Sequence, residues 1–338
     1  MHGMIIPFFI PHAGCKHQCV FCNQKKITGM DYVPRPEYIA EEIRARVSFS
    51  ANQHDIELAF YGGSFTALPI ENQEKYLSVV RPFIESGMIK NIRISTRPDC
   101  ITEDILRLLY HYHVRTIELG AQSMDDRVLH ESGRGHTSSD TIAASRLIHE
   151  SGFCLGLQLM AGLPGDDRDG FTRTVCSAAE LYPAFVRLYP VIVIKDTPLA
   201  KLYASGRYGP LSLEEAVELC SDAASLLEDK GIKVIRIGLQ DANEFRVPGN
   251  ILAGPYHPAF GQLVRSRMLL QKIMRLIAHR GAGGDTLGIL VNPADLSSAI
   301  GQGRANIAAL QKEYGLRDVR IISDEAVPKG EAAIAGRY

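Results

Sequence analysis

The chain has 338 residues, of which 46% are hydrophobic and 22% charged, with a formal net charge of −1. These proportions describe a folded protein with room for one large domain and a small one. The near-zero balance excludes polyanion binding by bulk charge, so a nucleic-acid surface has to be a local patch, and no apolar run of ~18 residues marks a membrane span.

In chain order, short β-rich runs alternate with amphipathic ones. A strand is predicted over 5–10, without the basic leader of a signal peptide. A helix over 37–47 follows Pro34 and Pro36, and a strand over 56–60 is ended by Gly62-Gly63. A helix over 70–85 and a strand over 91–95 come next. Thr102 caps a helix reaching 112, with Glu103 and Asp104 in its first turn. A strand over 115–119, a helix over 137–151, a strand over 153–160 and a helix over 168–181 continue the alternation. It ends with a strand over 185–189, a helix over 213–230 capped by Ser212 and stopped by Gly231, and a strand over 233–237. Strand followed by helix at this spacing implies a parallel sheet with crossover helices. Six or seven strands suit a partial barrel better than a closed eight-stranded one. The chain shows neither an internal repeat nor a low-complexity block.

Polar and glycine-rich segments sit just after the strands, where β/α folds bind their ligands. The first is Cys15-Lys16-His17-Gln18-Cys19-Val20-Phe21-Cys22. The other four cysteines, Cys100, Cys154, Cys176 and Cys220, are scattered and read as core residues. One tight cluster in an odd total fits a metal site in a reducing cytoplasm, not a disulfide framework. Three thiolates on one loop leave one iron of a [4Fe-4S] cube open to a small ligand, and Phe21 would keep the site dry. The competing reading is structural zinc completed by His12 or His17, although a second ligand pair is missing.

Cys-x3-Cys-x2-Cys with an aromatic before the last cysteine resembles the radical S-adenosylmethionine superfamily. That resemblance implies S-adenosylmethionine chelated to the open iron and cleaved by one electron to a 5′-deoxyadenosyl radical, which abstracts hydrogen from a substrate. It also implies an electron donor such as ferredoxin or flavodoxin. Tyr61-Gly62-Gly63-Ser64-Phe65 occupies the place of the superfamily's second motif, with Ser64 where an acid often stands. Gly62, Gly63 and Ser64 are expected to hold the methionine amino group. Arg97, in Ser95-Thr96-Arg97-Pro98-Asp99, can pair with a carboxylate, unless the segment only starts the next helix. Gln122 and Ser123 offer neutral hydrogen bonds to a ribose or carboxylate. Gly133-Arg134-Gly135-His136-Thr137 can supply a cation and a cap, and Gly162 can meet an adenine edge.

These strings, with Tyr189-Pro190, Thr197, Leu199, Tyr203 and Gly206-Arg207-Tyr208, resemble the radical domain of the Elongator catalytic subunit over roughly residues 4–240. That family modifies a wobble uridine of tRNA using acetyl-CoA as well. Here the first two cysteines stand closer together. Too few residues follow 240 for an acetyltransferase domain, so acetyl-CoA chemistry is not expected.

After residue 250 the character changes. A connecting helix over 251–280 leads, through the Gly-rich stretch 280–285, into strand 287–291, helix 293–300, a Gly301-Gln302-Gly303-Arg304 turn, helix 306–314 and strand 319–322. This module, 281–325, resembles KH RNA-binding domains, in which a Gly-x-x-Gly loop clamps a nucleic-acid backbone. Arg304 replaces the last glycine, so it either adds a phosphate contact or stiffens the loop. The alternative is a helical hairpin capping the barrel. Arg265, Arg267, Lys272, Arg275 and Arg280 add basic character before it. Tyr256 and His257 either face the substrate or form a rigid connector, and residues 326–338 read as a loose tail.

The expected fold is therefore α/β: a partial (β/α)6-type radical barrel over 1–250 with a small α+β KH-like domain. The expected protein is a cytoplasmic radical enzyme with a [4Fe-4S] cluster on Cys15, Cys19 and Cys22, acting on RNA, either tRNA or rRNA. Two alternatives remain: a radical enzyme for a small molecule such as a tetrapyrrole, and an RNA-binding protein whose cluster is structural or sensing.

Overall fold

Seven parallel strands build the sheet that carries the site. The computed structural model describes residues 4–10, 13–15, 17–23, 34–48, 56–240, 242–280 and 285–335. His12, residues 281–284 and the side chain of Arg280 lie outside the described residues. The elements run β1 (Met4–Phe9), α1 (Pro36–Ser48), β2 (Ile56–Tyr61), α2 (Ile70–Glu85), β3 (Asn91–Thr96), α3 (Glu103–His111), β4 (Val114–Gln122), α4 (Asp126–Glu131) and α5 (Ser138–Glu150). They continue β5 (Cys154–Ala161), α6 (Arg168–Ala179), β6 (Phe185–Pro190), β7 (Val193–Ile194), α7 (Pro198–Ala204), α8 (Leu213–Asp229) and β8 (Lys233–Ile237). The sheet order is β1-β2-β3-β4-β5-β6-β8. Among the described residues β1 and β8 are its edges, so the barrel stays open.

Local chemistry sets the helix starts. Thr102 Oγ1 accepts from the Ile105 amide, and Thr137 with Asp140 and Ser212 with Glu215 form capping boxes. The strands alternate. One face supplies Ile6, Leu58, Phe60, Ile92, Ile94, Ile117 and Leu155, all at most 1% exposed, to the core beneath the helices. The other face lines the barrel interior and carries charge. Arg93 bridges Glu57 at 2.6 Å and Glu118 at 3.1 Å, and Arg187 holds Glu118 at 2.8 Å. Tyr61 Oη donates to Glu118 and accepts from Arg187, and Gln158 Nε2 donates to Glu118 Oε2. Burial is the largest influence on Arg187 and works against its charge, but Glu118, Tyr189 and Tyr61 together hold the guanidinium above its ordinary value. Burial pushes the Tyr61 phenol upward.

Beyond β8, β9 (Ile251–Ala253) pairs antiparallel with β7. Then come α9 (Phe260–Arg280), β10 (Thr286–Val291), α10 (Leu296–Ile300), α11 (Ala305–Tyr314), β11 (Asp318–Ser323) and β12 (Ala332–Ile334). The small sheet has order β11-β10-β12, with β10 parallel to β11 and antiparallel to β12. β12 falls inside the stretch read as a tail and supplies a third strand. Its three residues carry too weak a pattern to announce it. Helix α9 belongs to two cores: Phe260, Val264 and Met268 enter the barrel's, while Leu269, Leu270, Ile273 and Ile277 enter that of the small sheet. Asn306 Nδ2 donates to Ser266 O, Ser266 Oγ and Ser298 O, fixing the α10–α11 hairpin on α9. The hairpin thus packs on α9 and its own sheet.

Two of the basic residues of α9 are engaged within the fold: Arg265 pairs with Glu228, and Lys272 bridges Glu331 at 2.7 Å. His257 Nδ1 accepts from the Ala259 amide, and the Tyr256 ring packs edge-on against Phe245. Both therefore serve the connector into α9.

Candidate active site

The cysteine loop is held from three sides. The Ala13 carbonyl accepts from the Ser64 amide, the Val20 amide donates to Ser132 O, and the Leu199 amide donates to Val20 O. A Cβ at Gly63 would meet the Ile10 carbonyl oxygen at 2.6 Å, so only glycine lets the second motif press this closely on the first. Ser64 and Thr66 both bond Thr96 Oγ1, and the Arg97 amide donates to Ser64 Oγ. The ends of β1, β2 and β3 are thereby tied into one rigid rim.

Below the rim lies a cavity of about 280 Å³. Its wall contains Cys15, Cys19 and Cys22, together with Gly62, Gly63, Ser64, Arg97 and Gln122 from the predicted set. Two predicted residues stand elsewhere. Ser123 is fully buried outside this wall, bonded to Thr174 Oγ1 and to the Asp125 amide, so it anchors the start of α4. Gly162 lines a separate surface cleft, and its carbonyl accepts from Tyr208 Oη at 2.6 Å. Met160, on β5 just before Gly162, stands in the cavity wall instead.

Arg97 and Ser64 line the cavity, and each is already engaged by a neighbouring side chain. Arg97 closes a bidentate pair on Asp99 at 2.9 and 3.1 Å, and Ser64 Oγ serves the rim. The cation turned toward the cysteines is Arg134, 6% exposed. It donates to Cys19 Sγ at 3.1 Å and to Gly120 O. His136 sits behind it, pushed down to about 4 by burial and then by the charges of Arg134 and Arg97. The segment 133–137, read as a source of a cation and a cap, supplies both in Arg134 and Thr137, but sequence reasoning passed over the charged interior at Glu118, Arg187 and Arg236. Single charges between apolar neighbours at strand spacing were the available signal.

Two polar atoms at the cavity, Gln122 Oε1 and Arg134 Nε, are buried without a hydrogen-bond partner among the described residues. They fit a ligand that donates to the first and accepts from the second, as an amino acid attached to a ribose can. Three thiols on the same wall fit an iron–sulfur cube with one open corner. No group of three His, Cys, Asp or Glu gathers as a single-ion site among the described residues; a cube places each thiolate on a different iron.

Two family descriptions match: "Radical SAM superfamily" over residues 9–175 and "Radical_SAM C-terminal domain" over 183–269, the latter ending within α9. A tRNA uridine(34) acetyltransferase of Methanocaldococcus jannaschii is 31% identical over 202 residues, which is 54% of this chain and 37% of that protein. An uncharacterised protein of the same organism is 26% identical, over 79% of this chain and 82% of its own length. A solved structure of archaeal Methanocaldococcus infernus Elp3 superposes with a TM-score of 0.63 at 23% identity, covering 79% of this chain and 63% of that one, and so shares the fold. The chain thus spans little more than a third of the curated acetyltransferase it matches. No described helix is long and apolar enough to cross a membrane. The protein is an enzyme whose cofactors are a [4Fe-4S] cluster and S-adenosylmethionine. It belongs to the radical S-adenosylmethionine superfamily, with a radical domain homologous to that of the Elongator catalytic subunit.

Proposed function

We propose that this enzyme modifies RNA, with tRNA as the substrate class. Cys15, Cys19 and Cys22 would hold the cluster, the backbone of Gly62 and Gly63 the methionine amino group, Arg134 its carboxylate, and Gln122 the ribose. The bound cofactors supply one-electron cleavage of a sulfonium and hydrogen-atom abstraction, fed by a ferredoxin- or flavodoxin-like donor. The chain itself contributes a dry, rigid wall and a barrel open at one side, through which a bulky substrate reaches the cavity.

The observation that carries the RNA reading is the loop Gly301-Gln302-Gly303-Arg304. Residues 302–304 are exposed between two helices of a β-α-α-β unit with parallel strands, and the KH reading rests on that order of elements. Helix α9 joins that unit to the barrel; 281–335 is proposed as the RNA-holding unit and 1–250 as the radical domain. The relationship to a tRNA-modifying enzyme supports the same substrate. The test is anaerobic: dithionite-reduced, reconstituted protein should form 5′-deoxyadenosine and Cys19→Ala should not. A tRNA transcript should bind with a salt-dependent affinity that Arg304→Glu weakens. Binding unchanged by both salt and Arg304→Glu defeats the RNA reading.

A further inference from the structure

The cavity has a half that the cysteine loop and its glycine cradle leave unexplained. On β6 and β8, Arg187 and Arg236 are register partners, and both line the cavity. Arg187 is neutralised by Glu118. Of the other arginines on the cavity wall, Arg97 pairs with Asp99 and Arg134 is engaged by Cys19 Sγ and Gly120 O. Arg236 stands on the opposite half with no carboxylate partner among the described residues. It is half-buried, and its side-chain partner among the described residues is the neutral Gln240 Oε1 at 3.1 Å. Beside it stand the apolar side chains of Ile192, Ile194 and Leu239.

A guanidinium without a carboxylate partner among the described residues, on a partly apolar wall, suits a ligand with a flat apolar face and one oxyanion. The location adds a direction. β8 is the edge strand, and the start of α9 presses on its end: a Cβ at Gly261 would meet the Ile237 carbonyl oxygen at 2.7 Å. From α9, Gln262 and Ser266 reach Ser297 and Ser298 of α10, which runs directly into loop 301–304. A chain of contacts therefore runs from the hairpin of the exposed loop through α9 to the end of β8, the strand that carries Arg236.

We propose that Arg236, held by Gln240, is an oxyanion subsite on the substrate side of the cavity, and that it takes a backbone phosphate of the RNA strand held at loop 301–304. The RNA source rests on the function proposed above; the subsite itself does not. The probes are uridine 5′-monophosphate and uridine, titrated calorimetrically into the reconstituted full chain with S-adenosylmethionine present. The wild type should bind the monophosphate about tenfold more tightly than the nucleoside, Arg236→Gln should erase that preference, and Arg236→Lys should keep part of it. Arg304→Glu should leave it intact. Melting curves should show all variants folded. Equal binding of both probes by the wild type, or an unchanged preference in folded Arg236→Gln, overturns the subsite. An Arg236-dependent preference that a tRNA transcript fails to compete away upholds the subsite and overturns its RNA source.

Discussion

Arg134 Nη1 donates to Cys19 Sγ across 3.1 Å, although 115 residues separate them. A hydrogen bond from a cation stabilises the more negative, reduced cluster. Arg134→Met should therefore move the cluster's midpoint potential to a more negative value, measured by potentiometric titration followed by electron paramagnetic resonance. An unchanged potential would mean that the bond serves only the fold.

Glu118 is fully buried and faces Arg93, Arg187, Tyr61 and Gln158. Its removal leaves two arginines inside the barrel without their shared counter-charge. Glu118→Ala should cost roughly 3–5 kcal/mol in denaturant unfolding, the range for breaking one partner out of a buried ion pair. Glu57→Gln, at the outer end of the chain of charges, should cost less.

His136 and Asp166 bend the pH profile in opposite directions. Burial holds the His136 imidazole at about 4, below its ordinary 6.5, so the unfolded chain takes up that proton first. Its contribution to stability is present above about pH 6.5 and is lost as the pH falls toward 4. Asp166 is raised by burial, and then by Asp167 and Asp125, to about 6. There the folded state holds the proton longer, so stability falls as the pH rises from about 4 through 6. Thermal melts should show His136→Phe flattening the acid side, and Asp166→Asn gaining on the wild type at pH 8 but not at pH 4.

Arg304 has φ +65°, a left-handed conformation that side chains resist by ~1–2 kcal/mol. Arg304→Gly relieves that strain while deleting a cation. The variant should unfold no more easily than the wild type, yet bind RNA with a salt slope reduced by about one charge. A retained slope would place the phosphate contact elsewhere.

The layout of the barrel was legible because strand and helix periods differ and their boundaries carry local chemistry. Ser212 with Glu215 and Gly231 bracket α8 within a residue of its observed ends. β4 runs to Gln122, past the apolar stretch, because Glu118 and Gly120 face the barrel interior, where charge is paired instead of solvated. β7 and β9 stayed hidden, since each is two or three residues long and its partner lies over fifty residues away. The site was legible as loops and less so as atoms. Asp99 claims Arg97 from two residues away in the same turn, and nothing in the sequence says that Thr174 will claim Ser123, because that pairing is set by how α6 lands on the sheet.

Helix α9 gives one end to each hydrophobic interior. Truncation after residue 280 would lay Leu269, Leu270, Ile273 and Ile277 open to water, so a shortened chain would aggregate before it could report on RNA. The same sharing couples the halves thermally. Calorimetry of the full chain should trace a single endotherm, because neither half can melt without stripping a face from the other's scaffold.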